Sequence, residues 1–265
     1  MIKSYSVEQL DNLRQSGKIL AGALAQVKKN IRAGISTLEL DKIAEDFIIS
    51  NNAAPSFKNY NGFPFSICTS VNEESIHGMP REDKILKEGD IISVDIGVRY
   101  NGMCTDAART WPVGKTSDEA KSLIHATRQC FVQAIKGLKA KSKVGDIGER
   151  IQDFISQNTT FSIIQNFFGH GVGENVHEEP LIPNFRPGRK TKPIIREHVR
   201  KRLPLHSVIA IEPMINAGEK DVEVGPDGWT VTTVDGRLSA HYENTVIVLE
   251  DGVEVVTRES EEIDF

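Results

Sequence analysis

The chain has 265 residues and a hydrophobic share of 39 %, which suffices to bury a sizeable core and excludes a disordered or fibrous protein. Its 32 Lys and Arg face 37 Asp and Glu, and the resulting formal charge of -5 excludes a general electrostatic attraction to nucleic acid. The three cysteines, Cys68, Cys104 and Cys130, lack CxxC or CxxH spacing, so a reducing compartment is expected, and neither a disulfide framework nor a zinc finger.

The amino terminus gives no sign of a secretory signal peptide, because charged and polar residues interrupt every apolar run in MIKSYSVEQLDNLRQSGK. No later stretch approaches the roughly 18 unbroken apolar residues that a membrane-spanning helix needs. We therefore expect a cytoplasmic protein without a membrane segment.

Two helices are predicted at the start of the chain. Residues 7 to 32 carry apolar side chains three, four or seven positions apart, the pattern of an amphipathic helix that ends before Gly34. Ser36 and Glu39 form a Ser-x-x-Glu capping box, in which each side chain accepts a hydrogen bond from the other residue's backbone, so a second helix starts there. Its apolar face consists of Leu40, Ile43, Phe47 and Ile48.

A β-hairpin is predicted around residues 91 to 113. The β-rich runs FSICTSV and DIISVDIGV precede the Asn101-Gly102 pair, which suits a tight turn, and MCTDAARTWPV follows it. Thr116 and Glu119 offer another capping box, which opens a helix through about Lys139, and a shorter helix is predicted from about Asp146 to Gln157. Further strands are predicted near 161–165, 207–215, 229–233 and 240–249.

The order of helices, strands, helices and strands suggests an internal duplication. Residues 31–48 align with residues 138–155, so that Asp-Phe-Ile at 46–48 meets Asp-Phe-Ile at 153–155. We predict a single α+β domain over residues 1–265, with similar halves at about 1–113 and 114–265 and a cleft between them.

One segment departs from the acidic composition. Residues 186–202, RPGRKTKPIIREHVRKR, contain eight Lys or Arg. A solvated surface loop is the simpler interpretation. The alternative is contact with an anionic partner such as ribosomal RNA.

Four acidic residues stand inside apolar, β-rich stretches: Asp95, Asp106, Glu212 and Glu243. Taken singly, each could be a solvent-facing residue or half of an ion pair. Asp95 and Asp106 flank the predicted hairpin turn, where two buried like charges would repel each other unless a divalent cation neutralised them. Together with His170, the set offers four carboxylates and one imidazole, which suits two Mn, Fe, Co or Zn ions.

Six stretches, spread over residues 60 to 249, carry a specific resemblance. They are TSVNEESIHGMP, EGDIISVDIGV, Cys104-Thr105-Asp106, GHGVGENVHEEP, IEPMIN and GWTVTTVDGRLSAHYENTV. In this order they resemble the type I methionine aminopeptidases, and the short bacterial form is the most similar, because no Cys/His-rich extension precedes them. The resemblance implies the pita-bread fold, in which two pseudo-symmetric halves enclose a curved antiparallel sheet covered by helices.

The resemblance also implies a role for individual residues. Two divalent metal ions would be bound by Asp95, Asp106, His170, Glu212 and Glu243. Asp106 and Glu243 would bridge both ions, and Glu212 would also carry the proton. His77 and His177 match two catalytic histidines that contact the substrate, with His177 stabilising the carbonyl oxygen and His77 holding the scissile amide. The remaining histidines, His125, His198, His206 and His241, are expected to fill ordinary hydrogen-bonding roles.

The implied activity is removal of the initiator methionine from nascent chains with a small second residue, by a cytoplasmic monomer. The methionine pocket would be formed by Tyr60, Phe63, Cys68, His77, His177 and Trp229, since aromatic edges suit a thioether. Phe63 and Val176 depart from the common pattern, which would make the pocket wider or drier.

Two alternatives remain. One is a proline-specific aminopeptidase of the same fold, which usually carries an added amino-terminal domain, and here the first helix already starts at residue 7. The other is a binding protein without catalysis, against which the complete set of ligands and histidines argues.

Overall fold

The computed structural model describes residues 1–258 of the chain. These residues contain five α-helices: α1 (Val7–Asn30), α2 (Thr37–Ser50), α3 (Asp118–Ile135), α4 (Gly145–Asn158) and α5 (Pro193–His198). The capping box predicted at α2 is present, because Ser36 Oγ accepts from Glu39 N at 3.2 Å and Glu39 Oε2 accepts from Ser36 N at 2.9 Å. The two helices predicted at the start of the chain are therefore confirmed.

The start of α3 differs from the prediction by one residue. Ser117, and not Thr116, is the N-cap, because the hydroxyl of Ser117 accepts a hydrogen bond from Ala120 N at 3.1 Å. Thr116 instead donates its hydroxyl to the carbonyl of Gly89. The capping box predicted between Thr116 and Glu119 is therefore wrong.

The end of α3 also differs from the prediction. The helix stops at Ile135 instead of continuing to about Lys139, because Gly137 takes a φ of +69°, a conformation that ends helical winding. The next predicted helix is confirmed as α4, which begins one residue earlier and ends one residue later than expected.

Fifteen strands lie within residues 1–258, and every pairing between them is antiparallel. They are β1 (Ala54–Pro55), β2 (Ile67–Val71), β3 (Glu74–Ile76), β4 (Ile91–Tyr100), β5 (Met103–Pro112), β6 (Ser162–Ile163), β7 (Gly169–Gly171), β8 (Glu178–Ile182), β9 (Val208–Ile211), β10 (Met214–Asn216), β11 (Val222–Val224), β12 (Val231–Thr233), β13 (Ser239–His241), β14 (Asn244–Val248) and β15 (Val253–Val255). This mixture of helices and antiparallel sheet confirms the α+β class.

The strands form four sheets. In the first, β4 pairs with β1, β2 and β5, and in the largest the order is β15-β14-β9-β7-β8. Two three-stranded sheets have the orders β13-β10-β6 and β11-β12-β3. The predicted hairpin is the β4–β5 pair, and its turn residues Asn101 and Gly102 both take positive φ, as a type I′ turn requires.

The strands predicted at 207–215 and 240–249 are each interrupted. Glu212 and Pro213 separate β9 from β10, since proline has no N–H to continue the ladder. Tyr242 and Glu243 likewise separate β13 from β14. Both interruptions place an acidic residue at the point where the chain changes from one sheet to another.

Helices cover both outer faces of this arrangement. Helices α1 and α2 pack on the β4 sheet through an apolar cluster that includes Leu20, Leu24 and Ile96. Helices α3 and α4 pack on the later strands through a second cluster that includes Phe131 and Ile211. Among the described residues, no helix combines the length and apolarity needed to cross a membrane.

The basic segment 186–202 is not simply a solvated loop. It contains α5, whose Ile195 is buried at 5 % exposure, and the Nδ1 of His198 accepts a hydrogen bond from Leu181 N at 2.6 Å. The loop interpretation is therefore wrong for α5, because one apolar side chain and one imidazole fix that turn against β8. His198 fills the ordinary hydrogen-bonding role expected of it.

Candidate metal centre

Asp95 and Asp106 lie on one face of the β4–β5 hairpin. The register places Asp95 opposite Ala108 and Asp106 opposite Gly97, so the two acids are diagonal neighbours on adjacent strands. Their carboxyl groups lie close enough for the charge of Asp95 to raise the pKa of Asp106. Asp106 is fixed further by Thr245, whose Oγ1 accepts from Asp106 N and donates to Asp106 O, each at 2.8 Å.

His170 reaches the same acids from β7. Its Nδ1 lies 2.9 Å from the carbonyl oxygen of Gly171, so an N–H at Nδ1 leaves the lone pair on Nε2. That Nε2 lies 3.9 Å from Asp106 Oδ2 and 3.5 Å from Glu212 Oε1. Strand β7 can lie this close to β8 because Gly171 has no side chain. A Cβ at that position would fall 2.1 Å from the carbonyl oxygen of Glu179.

Glu212 and Glu243 come from the two strand interruptions. The backbone N–H of Glu243 donates to Ala108 O at 2.9 Å, and the guanidinium of Arg109 donates to Glu243 O at 2.6 Å. Arg109 itself stacks on Tyr242, with its Cζ 4.3 Å from the ring centre. The backbone of Glu243 is thus bound to β5, which brings its carboxylate to the acids of the hairpin.

The acidic side chains lack the partners that buried charges need. Within residues 1–258, Asp95 Oδ1, Asp106 Oδ1 and Glu243 Oε1 are buried without a hydrogen-bond donor. Burial raises the pKa of Asp106, Glu212 and Glu243 well above that of an ordinary carboxyl group, and neighbouring carboxylates raise it further. Burial also raises the pKa of Asp95 to about 7. Such a cluster is costly in the absence of a compensating charge.

The donor atoms fit divalent cations. Two sets of three possible ligands have their atoms within 4.8 Å of one another: Asp95, His241 and Glu243, and Asp106, His170 and Glu243. Carboxylate oxygens combined with imidazole nitrogen suit Mn, Fe, Co or Zn. Burial lowers the pKa of His170 and His241 to about 3, so both rings are neutral at physiological pH, the state in which imidazole binds a metal.

The structure therefore brings together all five ligands that the resemblance implied, and it adds one residue. His241 was expected to hydrogen-bond within the protein, yet neither of its ring nitrogens has a partner among residues 1–258. Its Nε2 instead lies 3.6 Å from Glu212 Oε2 and 3.7 Å from Glu243 Oε2. The one available signal in the sequence was its position two residues before Glu243.

A cavity of about 240 Å³ opens beside the carboxylates. Its lining includes all six residues predicted for the pocket: Tyr60, Phe63, Cys68, His77, His177 and Trp229. The rings of Phe63 and Trp229 meet edge to face, with centroids 5.1 Å apart. Phe57, Ile76, Phe167 and Phe168 complete the apolar wall, and no sequence signal had marked them. The cavity thus joins an apolar chamber to an acidic wall.

The cavity lining also contains two histidines, His77 and His177. His77 has a φ of +57°, an uncommon conformation for a residue with a side chain, and burial lowers its pKa to about 4. The Nδ1 of His177 lies 2.9 Å from the hydroxyl of Tyr60, and its ring centre lies 4.3 Å from that of His170. Burial lowers the pKa of His177 as well.

The chain matches known proteins over nearly its whole length. The model of metallopeptidase family M24 matches residues 11–250. A methionine aminopeptidase of Clostridium perfringens is 46 % identical over 97 % of this chain and 99 % of its own length. Methionine aminopeptidase 1 of Bacillus subtilis is 43 % identical over 97 % of this chain and 100 % of its own.

A solved structure agrees with these relatives. The methionine aminopeptidase of Thermotoga maritima superimposes with a TM-score of 0.91 at 37 % identity, over 98 % of this chain and 100 % of that one. The resemblance drawn from the sequence motifs and the pita-bread α+β fold that it implied are both confirmed. The chain belongs to metallopeptidase family M24, and within it groups with the methionine aminopeptidases.

Proposed function

We propose that this protein removes the initiator methionine from nascent polypeptides whose second residue is small, acting in the cytoplasm as a monomer. The observation that carries the proposal is the junction between the buried acidic cluster and an apolar cavity of about 240 Å³. Such a junction can bind an apolar side chain while it holds the adjacent peptide group against the acidic wall.

Two divalent cations would be held by Asp95, Asp106, His170, Glu212 and Glu243. Glu243 belongs to both three-residue sets of possible ligands, so its carboxylate is within reach of either set. Asp106 Oδ2 lies 3.9 Å from His170 Nε2, and the charge of Asp95 raises the pKa of Asp106, so Asp106 has neighbours in both sets. Mn, Fe, Co and Zn all suit this donor set.

Bound divalent cations would lower the pKa of a water molecule, so that hydroxide is available near neutral pH to attack the first peptide carbonyl. Glu212 takes up the proton, because its carboxylate borders the cavity and lies 3.5 Å from His170 Nε2 in the acidic cluster. Its position at the end of β9, next to Pro213, holds that carboxylate in place.

His177 stabilises the carbonyl oxygen as negative charge develops on it. The Tyr60 hydroxyl remains protonated, since burial raises its pKa. When that hydroxyl donates to His177 Nδ1, the ring proton must lie on Nε2, which makes Nε2 a donor for the developing oxyanion. His77 also lines the cavity and hydrogen-bonds the scissile amide.

The methionine side chain occupies the apolar part of the cavity. The edge-to-face pair of Phe63 and Trp229 presents ring edges, with which a thioether sulfur makes favourable contacts. Cys68 contributes a neutral thiol, since burial raises its pKa well above the ordinary value. The absence of a hydroxyl on Phe63 keeps this wall apolar.

A release assay tests the proposal directly. Purified protein is stripped of metal, reloaded separately with Mn, Fe, Co or Zn, and given Met-Ala-Ser and Ala-Pro-Ser. We expect methionine to be released from the first peptide alone, and only after reloading. Cleavage of the second peptide would indicate the proline-specific activity, and no cleavage with any metal would indicate a binding protein.

The pocket is tested by Trp229→Ala. Removing the indole should raise KM for Met-Ala-Ser by about tenfold or more while metal content stays unchanged, because a large apolar wall is lost on the substrate side alone. Phe161→Ala, which alters an aromatic residue outside the cavity, is the matched control. An unchanged KM in Trp229→Ala would remove this residue from the pocket.

The proposal also includes contact with ribosomal RNA through residues 186–202. Part of the positive charge is already paired, since Arg186 contacts Asp153 and Lys201 contacts Glu179. Arg189, Lys190 and Lys192 are exposed. Changing these three to Ser should reduce cosedimentation with ribosomes at low salt without altering peptide hydrolysis, and equal cosedimentation would refute the contact.

A further inference from the structure

His241 is a buried imidazole without a hydrogen bond. The residue is 1 % exposed, and within residues 1–258 neither Nδ1 nor Nε2 has a partner. Buried polar atoms nearly always have a partner, because an unsatisfied one loses its hydration without compensation. A ring with two such atoms in the interior therefore requires an explanation.

The backbone of His241 is held independently of its ring. Its N–H donates to Thr110 Oγ1 at 2.9 Å, and its carbonyl oxygen accepts from the same hydroxyl at 2.8 Å. On the other side, His241 pairs with Met214 in the β10–β13 ladder. The ring is consequently placed at the acidic cluster by contacts that do not use its nitrogen atoms.

The distances around Nε2 match shared coordination better than hydrogen bonding. Nε2 lies 3.6 Å from Glu212 Oε2 and 3.7 Å from Glu243 Oε2, both too long for a hydrogen bond. Ligand atoms that each lie about 2.1 Å from one cation are roughly 3.0–3.4 Å apart. His170 Nε2 shows the same spacing, at 3.5 and 3.9 Å from its two nearest carboxylate oxygens.

The two sets of possible ligands have the same composition. Each contains one aspartate, one histidine and the common Glu243: Asp95 with His241, and Asp106 with His170. We propose, building on the proposed function, that His241 is a sixth ligand that binds the cation on the Asp95 side. Each of the two cations then receives one imidazole.

A neutral ligand also fits the charge of the site. Four ionised carboxylates, those of Asp95, Asp106, Glu212 and Glu243, balance two divalent cations. An imidazole adds a nitrogen donor without disturbing that balance, whereas a fifth carboxylate would leave excess negative charge in a buried site. His241 thereby increases the coordination number on the Asp95 side at no cost in charge.

The number of bound imidazoles is the direct test. Protein loaded with two equivalents of Co²⁺ is studied by proton NMR, in which each imidazole bound to the paramagnetic ion contributes strongly shifted ring resonances. We expect two such imidazoles in the unaltered protein and one in His241→Gln. His170→Gln should also show one, and His125→Gln, which alters an exposed histidine, should show two.

Metal affinity gives a second, independent measurement. Metal-free protein is titrated with Mn²⁺ against a competing chelator, and His241→Gln should weaken one of the two binding steps by about tenfold or more while the other is retained. Thermal unfolding in excess chelator checks that the variant is folded. If it is not, the imidazole count of the unaltered protein alone decides.

Two results would overturn this inference. The first is a single bound imidazole in the unaltered protein. The second is a count of two bound imidazoles in His241→Gln. In that second case His241 would act on Glu212 and not on the cation, even if the metal affinity of the variant falls. Neither result bears on methionine release. Loss of release with two bound imidazoles would instead contradict the proposed function and leave this ligand in place.

Discussion

Two acidic regions of this protein compensate the cost of burying a carboxylate in opposite ways. Asp41, on α2, is 5 % exposed, and its Oδ1 accepts hydrogen bonds from Ser66 N at 2.8 Å and Ile67 N at 3.0 Å. Burial raises the pKa of Asp41, and these two donors oppose the rise. The backbone thus supplies the hydrogen-bond donors that the buried carboxylate of Asp41 needs.

The acidic cluster at the cavity is arranged differently. Within the described residues 1–258, Asp95, Asp106 and Glu243 each keep an oxygen atom without a donor, and their neighbours include other carboxylates. Burial alone therefore does not identify a functional acid. The informative feature is burial without donors, because such a group is stable in its charged form only when a cation binds.

The largest loss of activity is expected from a substitution in the acidic cluster at the cavity. Asp106→Asn removes the charge of a proposed metal ligand, so we expect it to abolish methionine release and to weaken binding of the second cation. Metal content by mass spectrometry and the release assay measure both. Asp251→Asn, at an exposed site, is the control. Normal turnover with normal metal content in Asp106→Asn would show that the cluster is not the reaction centre.

A smaller effect is expected where the cavity leaves the acidic cluster. His77→Ala should keep both cations bound and lower kcat by about 10²-fold, the usual scale for losing a group that transfers or holds a proton. His125→Ala changes an exposed histidine and should leave kcat unaltered. If kcat in His77→Ala equals that of the unaltered protein, His77 has no part in the reaction.

In the metal-free protein, the acidic cluster should make the folding stability depend on pH. Because burial raises the pKa of Asp106, Glu212 and Glu243, the folded protein keeps their protons where the unfolded chain has lost them. Folding stability is then lost as pH rises above the ordinary pKa of a carboxyl group. The buried histidines have lowered pKa values, so they act in the opposite direction only below pH 6.5, their ordinary value.

The window that isolates the carboxylates is therefore about pH 6.5 to 8.5. Differential scanning calorimetry in excess chelator should show a falling Tm across this window. With Mn²⁺ bound, Tm should stay nearly constant, because the ligands are ionised throughout. A Tm of the metal-free protein that holds steady or increases over the window would mean that the carboxyl groups titrate normally.

The smallest effect on activity is expected at Asp41. Asp41→Ala leaves two backbone N–H groups without an acceptor and should cost about 1–3 kcal/mol of unfolding free energy, while metal content and kcat remain normal. Asp41→Asn retains an acceptor oxygen and should cost less. Urea denaturation measures the stability of both variants. Loss of metal from Asp41→Ala would show that the two regions are coupled.

Local sequence signals predicted α1, α2, α4 and the β4–β5 hairpin well, but they missed the N-cap of α3 and the whole of α5. The Ser36 capping box and the Asn101-Gly102 turn succeeded because each depends on residues only a few positions apart. The strand interruptions at Glu212 and Glu243 could not be predicted in this way. They depend on which sheets the flanking strands join, a property of the whole fold.

The candidate site was predictable where the resemblance assigned a role to a residue. The five proposed ligands and both cavity histidines are such residues, and the structure places their side chains near one another. His241 and Phe167 could not be assigned, because an isolated histidine or phenylalanine has the same local pattern in a core as in a site. His241 is distinguished in the structure by a ring that has no hydrogen-bond partner among residues 1–258 and that lies near Glu212 and Glu243.

The connection of Glu243 to the β4–β5 hairpin has a consequence for biosynthesis. More than half of the chain separates Asp95 from Glu243, and the latter lies near the carboxyl terminus. While the chain is being translated, the hairpin can form early, but its acids meet Glu243 only after the last strands have emerged from the ribosome. A nascent chain that does not yet include Glu243 therefore lacks one of the proposed ligands, and we expect full metal binding only after that residue has joined the hairpin.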